Sequence, residues 1–131
     1  MTKKIVRVEP FATYAEKRNV PVSSVVVHDG LVYVSQIPPY DPVTGEIRRV
    51  EVRDQMDIVL AQMQKCVEAA GSSLDRVVQC SVYANDPAHF AAINEVYGRY
   101  FPVDPPSRRL IFVSGWHGPF DVEVDCIAAL P

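Results

Sequence analysis

This 131-residue chain has little of what marks several common functions. Its six glycines are scattered, so no glycine-rich loop can cradle a phosphate, and no nucleotide cofactor is expected. The three cysteines, Cys66, Cys80 and Cys126, are odd in number and form no close pair. That argues against a disulfide framework or a zinc centre, and each lies in an apolar pattern that reads as core. His28, His89 and His117 do not form a metal-ligand constellation, so no metal is expected either. No G-x-S-x-G elbow exists, which leaves Ser23, Ser24 and Ser35 without the setting of a nucleophile. No run approaches the roughly 20 apolar residues of a membrane span. Met1 to Arg7 carries charge with no apolar stretch behind it, so it does not read as a signal peptide, and a cytoplasmic location is the expectation. A net charge of -3 with no basic stripe leaves no footprint for nucleic acid.

What is present is an ordinary globular composition, 48% apolar and 22% charged, in a length suited to one domain spanning 1–131. Residues 1–20 carry weak pattern: Ile5 and Val6 fit an edge strand, and Phe11 to Arg18 an irregular or single helical turn. Val22 to His28 reads as a β-branched strand. Asp29-Gly30 is a two-residue hairpin signal, since both central positions of a type I′ turn need positive φ. Leu31 to Ser35 is the returning strand. Three prolines between Gln36 and Val50 make that stretch a rigid loop, a common wall for a binding site. Met56, Val59, Leu60, Met63, Val67 and Ala70 recur at helical spacing, so Arg53 to Ala70 is a helix ended by Gly71. Val77 to Tyr83 is a strand. Asp86-Pro87 opens a second helix, with Phe90, Ile93, Tyr97 and Tyr100 or Phe101 on its buried face. Strands follow at about Arg108 to Val113 and Val122 to Ala128. The order β-β-α-β-α-β-β predicts an α+β mixed sheet with two helices on one face. Both faces of the strands carry apolar residues, so the face without helices needs a partner, and a homo-oligomer is expected.

Three candidates for chemistry stand out, each with a bland alternative. Arg108 and Arg109 are adjacent on a strand and must point to opposite faces, so only one can serve a given pocket as a carboxylate clamp; the alternative is a surface ion pair. Glu123 alternates with apolar residues, where it can orient a water or accept a proton, or simply face solvent. Trp116 and His117, in a glycine-flanked loop, can line a pocket.

Several stretches together resemble the RidA family, also called YjgF. They are Asp29-Gly30-Leu31-Val32-Tyr33-Val34-Ser35, Asp41-Pro42-Val43-Thr44-Gly45-Glu46, Glu68-Ala69-Ala70-Gly71-Ser72-Ser73-Leu74-Asp75, Phe90-Ala91-Ala92-Ile93-Asn94-Glu95-Val96-Tyr97, Pro105-Pro106-Ser107-Arg108, and Val122-Glu123-Val124-Asp125-Cys126-Ile127-Ala128. The resemblance implies a chorismate-mutase-like α+β fold, a homotrimer with pockets between subunits, and hydrolysis of reactive enamines or imines such as 2-aminoacrylate without a cofactor. By the family's pattern the arginine that binds the substrate carboxylate falls on Arg108, and the water-positioning glutamate on Glu123. Asn94 and groups near Ser35 would complete the pocket.

The chain departs from the pattern at positions that line the family's pocket. A tyrosine in a Gly-Pro-Tyr stretch is matched by Val22. The usual Ser-Gly-Gln-Ile-Pro appears as Ser35-Gln36-Ile37-Pro38, so Gln36 stands where a glycine is replaced or deleted. A common cysteine is Leu110, and a Leu-Pro-Lys loop is replaced by Gly115-Trp116-His117-Gly118-Pro119. These changes leave two further readings open. One is a pathway-specific deaminase of a larger substrate such as 2-aminomuconate, for which Arg48, Arg49 or a neighbouring subunit would supply a second cation. The other is a non-catalytic protein that binds a small carboxylate.

Overall fold

Asp29 and Gly30 sit at φ 51° and 79°, the left-handed pair that a tight hairpin requires. They join the two strands from which the sheet grows. A computed structural model describes residues 2–131. Its elements are β1 (Lys4–Val6), α1 (Phe11–Lys17), β2 (Val25–His28), β3 (Leu31–Ile37), α2 (Val52–Ala69), β4 (Val77–Ala84), α3 (Phe90–Tyr100), β5 (Ser107–Phe112) and β6 (Val122–Ala129). Short 3-10 turns at Leu74–Arg76 and Pro87–His89 precede β4 and α3. The architecture is the expected α+β class, a mixed six-stranded sheet ordered β1-β2-β3-β6-β4-β5, with three helices rather than two. Only β4 and β5 run parallel, and α3 makes the crossover between them.

Register fixes which side chains share a face. Cys80 pairs with Cys126, Val82 with Val124 and Ala84 with Val122; all six are buried under α2 and α3. On α2 the predicted stripe holds, with Met56, Val59, Leu60, Met63 and Val67 wholly buried. Gly71, at φ 90°, ends the helix as expected. Asp86 caps the turn before α3 by accepting from the Ala88 N–H at 2.9 Å.

Some local expectations are corrected. Phe90 does not belong to the buried face of α3: it is 46% exposed, and Ala92, Ile93, Val96 and Tyr97 fill that face. Phe90 is the first residue of α3, at the edge of the apolar stripe, where the helix has only begun to meet the core. Strand β2 begins at Val25 rather than Val22, which leaves Val22 in the approach to the strand. Phe11 to Lys17 is a complete two-turn helix, held by the buried Phe11 and Ala15.

The opposite face of the sheet has no helix of its own chain over it. Ile5, Tyr33 and Ile111 are 49%, 40% and 37% exposed there, beside Val26 and Ile127. Ser81, Tyr83, Arg109 and Asp125 add polar groups, with Tyr83 donating to Asp125 at 2.8 Å and Arg109 to Ser81 at 3.3 Å.

Candidate functional site

Strand alternation sends Glu123 away from the buried Val122 and Val124, towards the face that no helix covers. It is nevertheless only 4% exposed, because local segments close around it. A bulge in β3 between Val34 and Ile37 places Ser35 and Gln36 beside the start of β6. The approach to β2 brings Val22 and Ser24, and the loop after β5 brings Trp116 and His117. Together with α1 and Tyr40 these residues enclose a cavity of about 470 Å³ onto which Glu123 opens. Burial, reinforced by the nearby Asp125 carboxylate, pushes the Glu123 carboxyl up to about 7 from its ordinary 4.5. It is poised to take or give a proton near neutrality.

Most of the wall is fixed by hydrogen bonds. Ser35 donates to the Ser23 carbonyl at 2.7 Å, tying β3 to the approach of β2. The Trp116 indole N–H donates to the Asp121 carbonyl at 3.1 Å, and its ring lies 5.1 Å from Phe120. Asp121 anchors that loop in turn. Its side chain accepts from the buried Gln55 at 2.6 Å and from Asn85 at 3.1 Å, and its N–H donates to the Gln55 side-chain oxygen at 2.8 Å.

Arg108 lies elsewhere. It is paired with Cys80, on the helix side of the edge strand β5. Its guanidinium donates to the Asn94 side chain at 2.7 Å and lies 4.9 Å from the centre of the Tyr97 ring. Leu110, two residues on, packs against the core from the same face. The expected site residues therefore fall into two groups: Val22, Ser35, Gln36, Trp116 and Glu123 around one cavity, and Arg108, Asn94 and Leu110 at the α3–β5 edge. Arg109 points to the same side of the sheet as Glu123 but is bonded to Ser81 rather than to the cavity.

Neither Arg48 nor Arg49 lines the cavity. Arg48 approaches Asp41 at 3.9 Å instead. No lysine or arginine is among the lining residues. Among the described residues no group of three or more His, Cys, Asp or Glu side chains is placed to hold a metal, and no helix is long and apolar enough to cross a membrane. The cysteine thiols are buried, and burial pushes Cys66 and Cys80 up to about 12, so neither is a thiolate nucleophile.

Three cavity residues were not singled out from the sequence: Phe11, Tyr14 and Ala15, all from α1. Their signal is one helical turn of i, i+3, i+4 spacing, easily lost in a short segment without a strong cap. Tyr40 belongs with them. Its ring lies 4.4 Å from Tyr14 and 5.6 Å from Phe11, and its phenol is held neutral first by burial, then by Tyr14 and by the Glu123 carboxylate.

Known proteins resemble this chain over most of its length. The family model described as Endoribonuclease L-PSP matches residues 13–130. A RutC family protein of Pyrococcus horikoshii is 35% identical, covering 90% of this chain and 94% of its own. The chloroplastic Reactive Intermediate Deaminase A of Arabidopsis thaliana is 32% identical over 84% of this chain and 59% of its own. The crystal structure of E. coli TdcF with bound serine superposes with a TM-score of 0.79 at 31% identity, covering 85% of this chain and 89% of that one. On the strength of the matched length and the common sheet, the chain belongs to the endoribonuclease L-PSP family, the RidA/YjgF family, which includes reactive intermediate deaminases.

Proposed function

We propose that the protein hydrolyses reactive 2-enamines and 2-imines to 2-keto acids and ammonia, in sites shared between two copies of the chain. The observation that carries this reading is Glu123: a buried carboxyl held near pKa 7 on the wall of a ligand-sized cavity. Both of its protonation states are populated at neutral pH, as a group that must first accept and then return a proton requires.

In this reading the substrate carboxylate is gripped by the Arg108 guanidinium, which Asn94 orients. An enamine first becomes an imine by moving a proton from nitrogen to carbon. Glu123 then draws a proton from a water as the water oxygen bonds to the imine carbon, while a proton from solvent reaches the nitrogen. The C–N bond of the resulting carbinolamine breaks as Glu123 hands its proton to nitrogen, releasing ammonia. The hydroxyl loses its proton to leave the 2-keto acid.

Arg108 and Glu123 of one chain face opposite sides of the sheet, so a site with both needs a second copy. The apolar face without helices supplies a surface on which copies can meet, and a homotrimer is the assembly we propose, in keeping with the family. No observation favours the 2-aminomuconate reading, since the cavity lining holds no second cation. The raised Glu123 pKa favours catalysis over simple carboxylate binding, because a buried carboxylate repels an anionic ligand unless it is protonated.

The test is a panel of imines made in situ from amino acids, with ammonia and keto acid as readouts. Wild type should exceed the spontaneous rate. Glu123→Gln should lose about 10²–10⁴-fold, and Arg108→Ala should lose turnover of carboxylate-bearing imines while the assembly persists. A folded wild type that accelerates none of them sinks the reading.

A further inference from the structure

The cavity beside Glu123 is far larger than a three-carbon enamine needs, and much of its lining is aromatic. At about 470 Å³ it lies within the roughly 300–1,000 Å³ typical of sites for sizeable ligands. Phe11, Tyr14, Tyr40 and Trp116 supply rings, and Val22 and Ile37 aliphatic surface. Glu123, Gln36 and Ser24 supply its polar groups, Ser35 already being committed to the Ser23 carbonyl. No lysine or arginine lines any part of it, and its carboxylate disfavours an anionic side group.

The rings are held rather than loose. The Arg18 guanidinium lies over the Tyr14 ring, 3.7 Å from its centre. Helix α1, which carries Tyr14, is pinned by the buried Phe11 and Ala15. The Tyr40 carbonyl accepts from the Gln62 side chain, and its backbone bridges to Ile47. Trp116 is fixed by its bond to Asp121. A preorganised aromatic lining favours a further ring, since edge-to-face or offset contacts between aromatics add about 0.5–1.5 kcal/mol beyond area burial.

Building on the deaminase reading, we infer that the preferred substrates are 2-imines or 2-enamines with an uncharged aryl or large apolar side group, and that Tyr14, Tyr40 and Val22 are the specificity-determining residues. Tyr14 and Tyr40 form the seat. Val22 leaves the room for it, since a larger residue at that position would project into the same cavity.

An amino-acid oxidase generates the imines of phenylalanine, leucine and alanine in situ, and keto-acid release is followed for wild type, Tyr14→Ala, Tyr40→Ala and Val22→Tyr, with folding checked by circular dichroism. Wild type should favour the phenylalanine imine over the alanine imine by about tenfold or more in kcat/KM, the scale that apolar pocket contacts support. Tyr14→Ala should reduce that ratio by about tenfold, and Val22→Tyr should turn the preference towards alanine. Tyr40→Ala gives a second route to the same loss should either of those variants fail to fold. Equal or better use of the alanine imine by wild type overturns this inference and leaves the deaminase reading standing. Hydrolysis of none of the three overturns both.

Discussion

The cavity around Glu123 and the edge around Arg108 make opposite use of burial. Glu123 is shut away from water, and its ionisation is suppressed until about pH 7. Arg108 stays half-buried at the sheet's edge, its guanidinium occupied by Asn94 and lying over the Tyr97 ring. A group that transfers protons benefits from burial, because burial brings its pKa to the working pH. A guanidinium keeps its charge in almost any setting, so orientation is what it needs from its surroundings. In the proposed reading one region tunes a proton and the other aims a fork, and a single chain holds the two residues on opposite faces of its sheet.

The largest test of that contrast is complementation. Arg108→Ala and Glu123→Gln should each be nearly inactive alone. Co-expressed or refolded together, they should regain activity, because an interface that takes Arg108 from one variant and Glu123 from the other is intact. Random assortment of equal amounts places about one quarter of interfaces in that state. No recovery from well-mixed oligomers would break the two-copy arrangement.

A smaller effect concerns stability. The folded carboxyl titrates near 7 and the unfolded one near 4.5, so between these values the unfolded chain sheds a proton that the folded chain keeps. Stability is fully present below about 4.5 and is lost as pH rises through 7, by about 3 kcal/mol on an order-of-magnitude linkage estimate. Glu123→Gln should therefore melt above wild type at pH 8, with the gap closing towards pH 5. For the same reason kcat/KM of wild type should rise with pH to a plateau above 7. Melting curves that run parallel at every pH would place Glu123 in a wetter setting than the cavity gives it.

Asp121→Ala addresses the loop that carries Trp116. It withdraws the carboxylate from Gln55 and Asn85, so the Gln55 NH2 keeps only the Val50 carbonyl at 2.8 Å while its oxygen still accepts from the backbone N–H of position 121. A loss of about 1–3 kcal/mol is expected. The single tryptophan reports it directly, by a red-shifted emission as the indole loosens. The smallest effect belongs to Arg109→Ala. Its guanidinium reaches Ser81 on the face away from Asn94, so activity per assembled oligomer should stay within about twofold of wild type. A loss matching that of Arg108→Ala would erase the distinction between the two arginines.

Much of the fold was legible because its signals are local. The Asp29-Gly30 turn, the apolar stripe of α2 and the Gly71 stop each follow from a few neighbouring residues, and each appears where expected. Phe90 was misjudged because it begins α3 at the edge of the apolar stripe, and α1 was underestimated because two turns carry too few residues to show a period. The candidate site was legible only as a set of names. Alternation separated Arg108 from Arg109, and the family pattern singled out Glu123, but nothing in the order of residues indicated that Arg108 and Glu123 part company across the sheet. That follows from β6 lying beside β4 antiparallel while β5 lies beside β4 in parallel, a pairing of segments far apart in the chain. The sequence by itself determined the class of fold, the helix stripe of α2, the tight turn and that the two arginines face opposite ways. Tertiary structure alone decided that Glu123 is buried and titrates near neutrality, that Tyr14 and Tyr40 meet over its cavity, and that Arg108 stands on the other side. The physical reason is that burial and proximity depend on long-range packing, which periodicity and spacing do not encode.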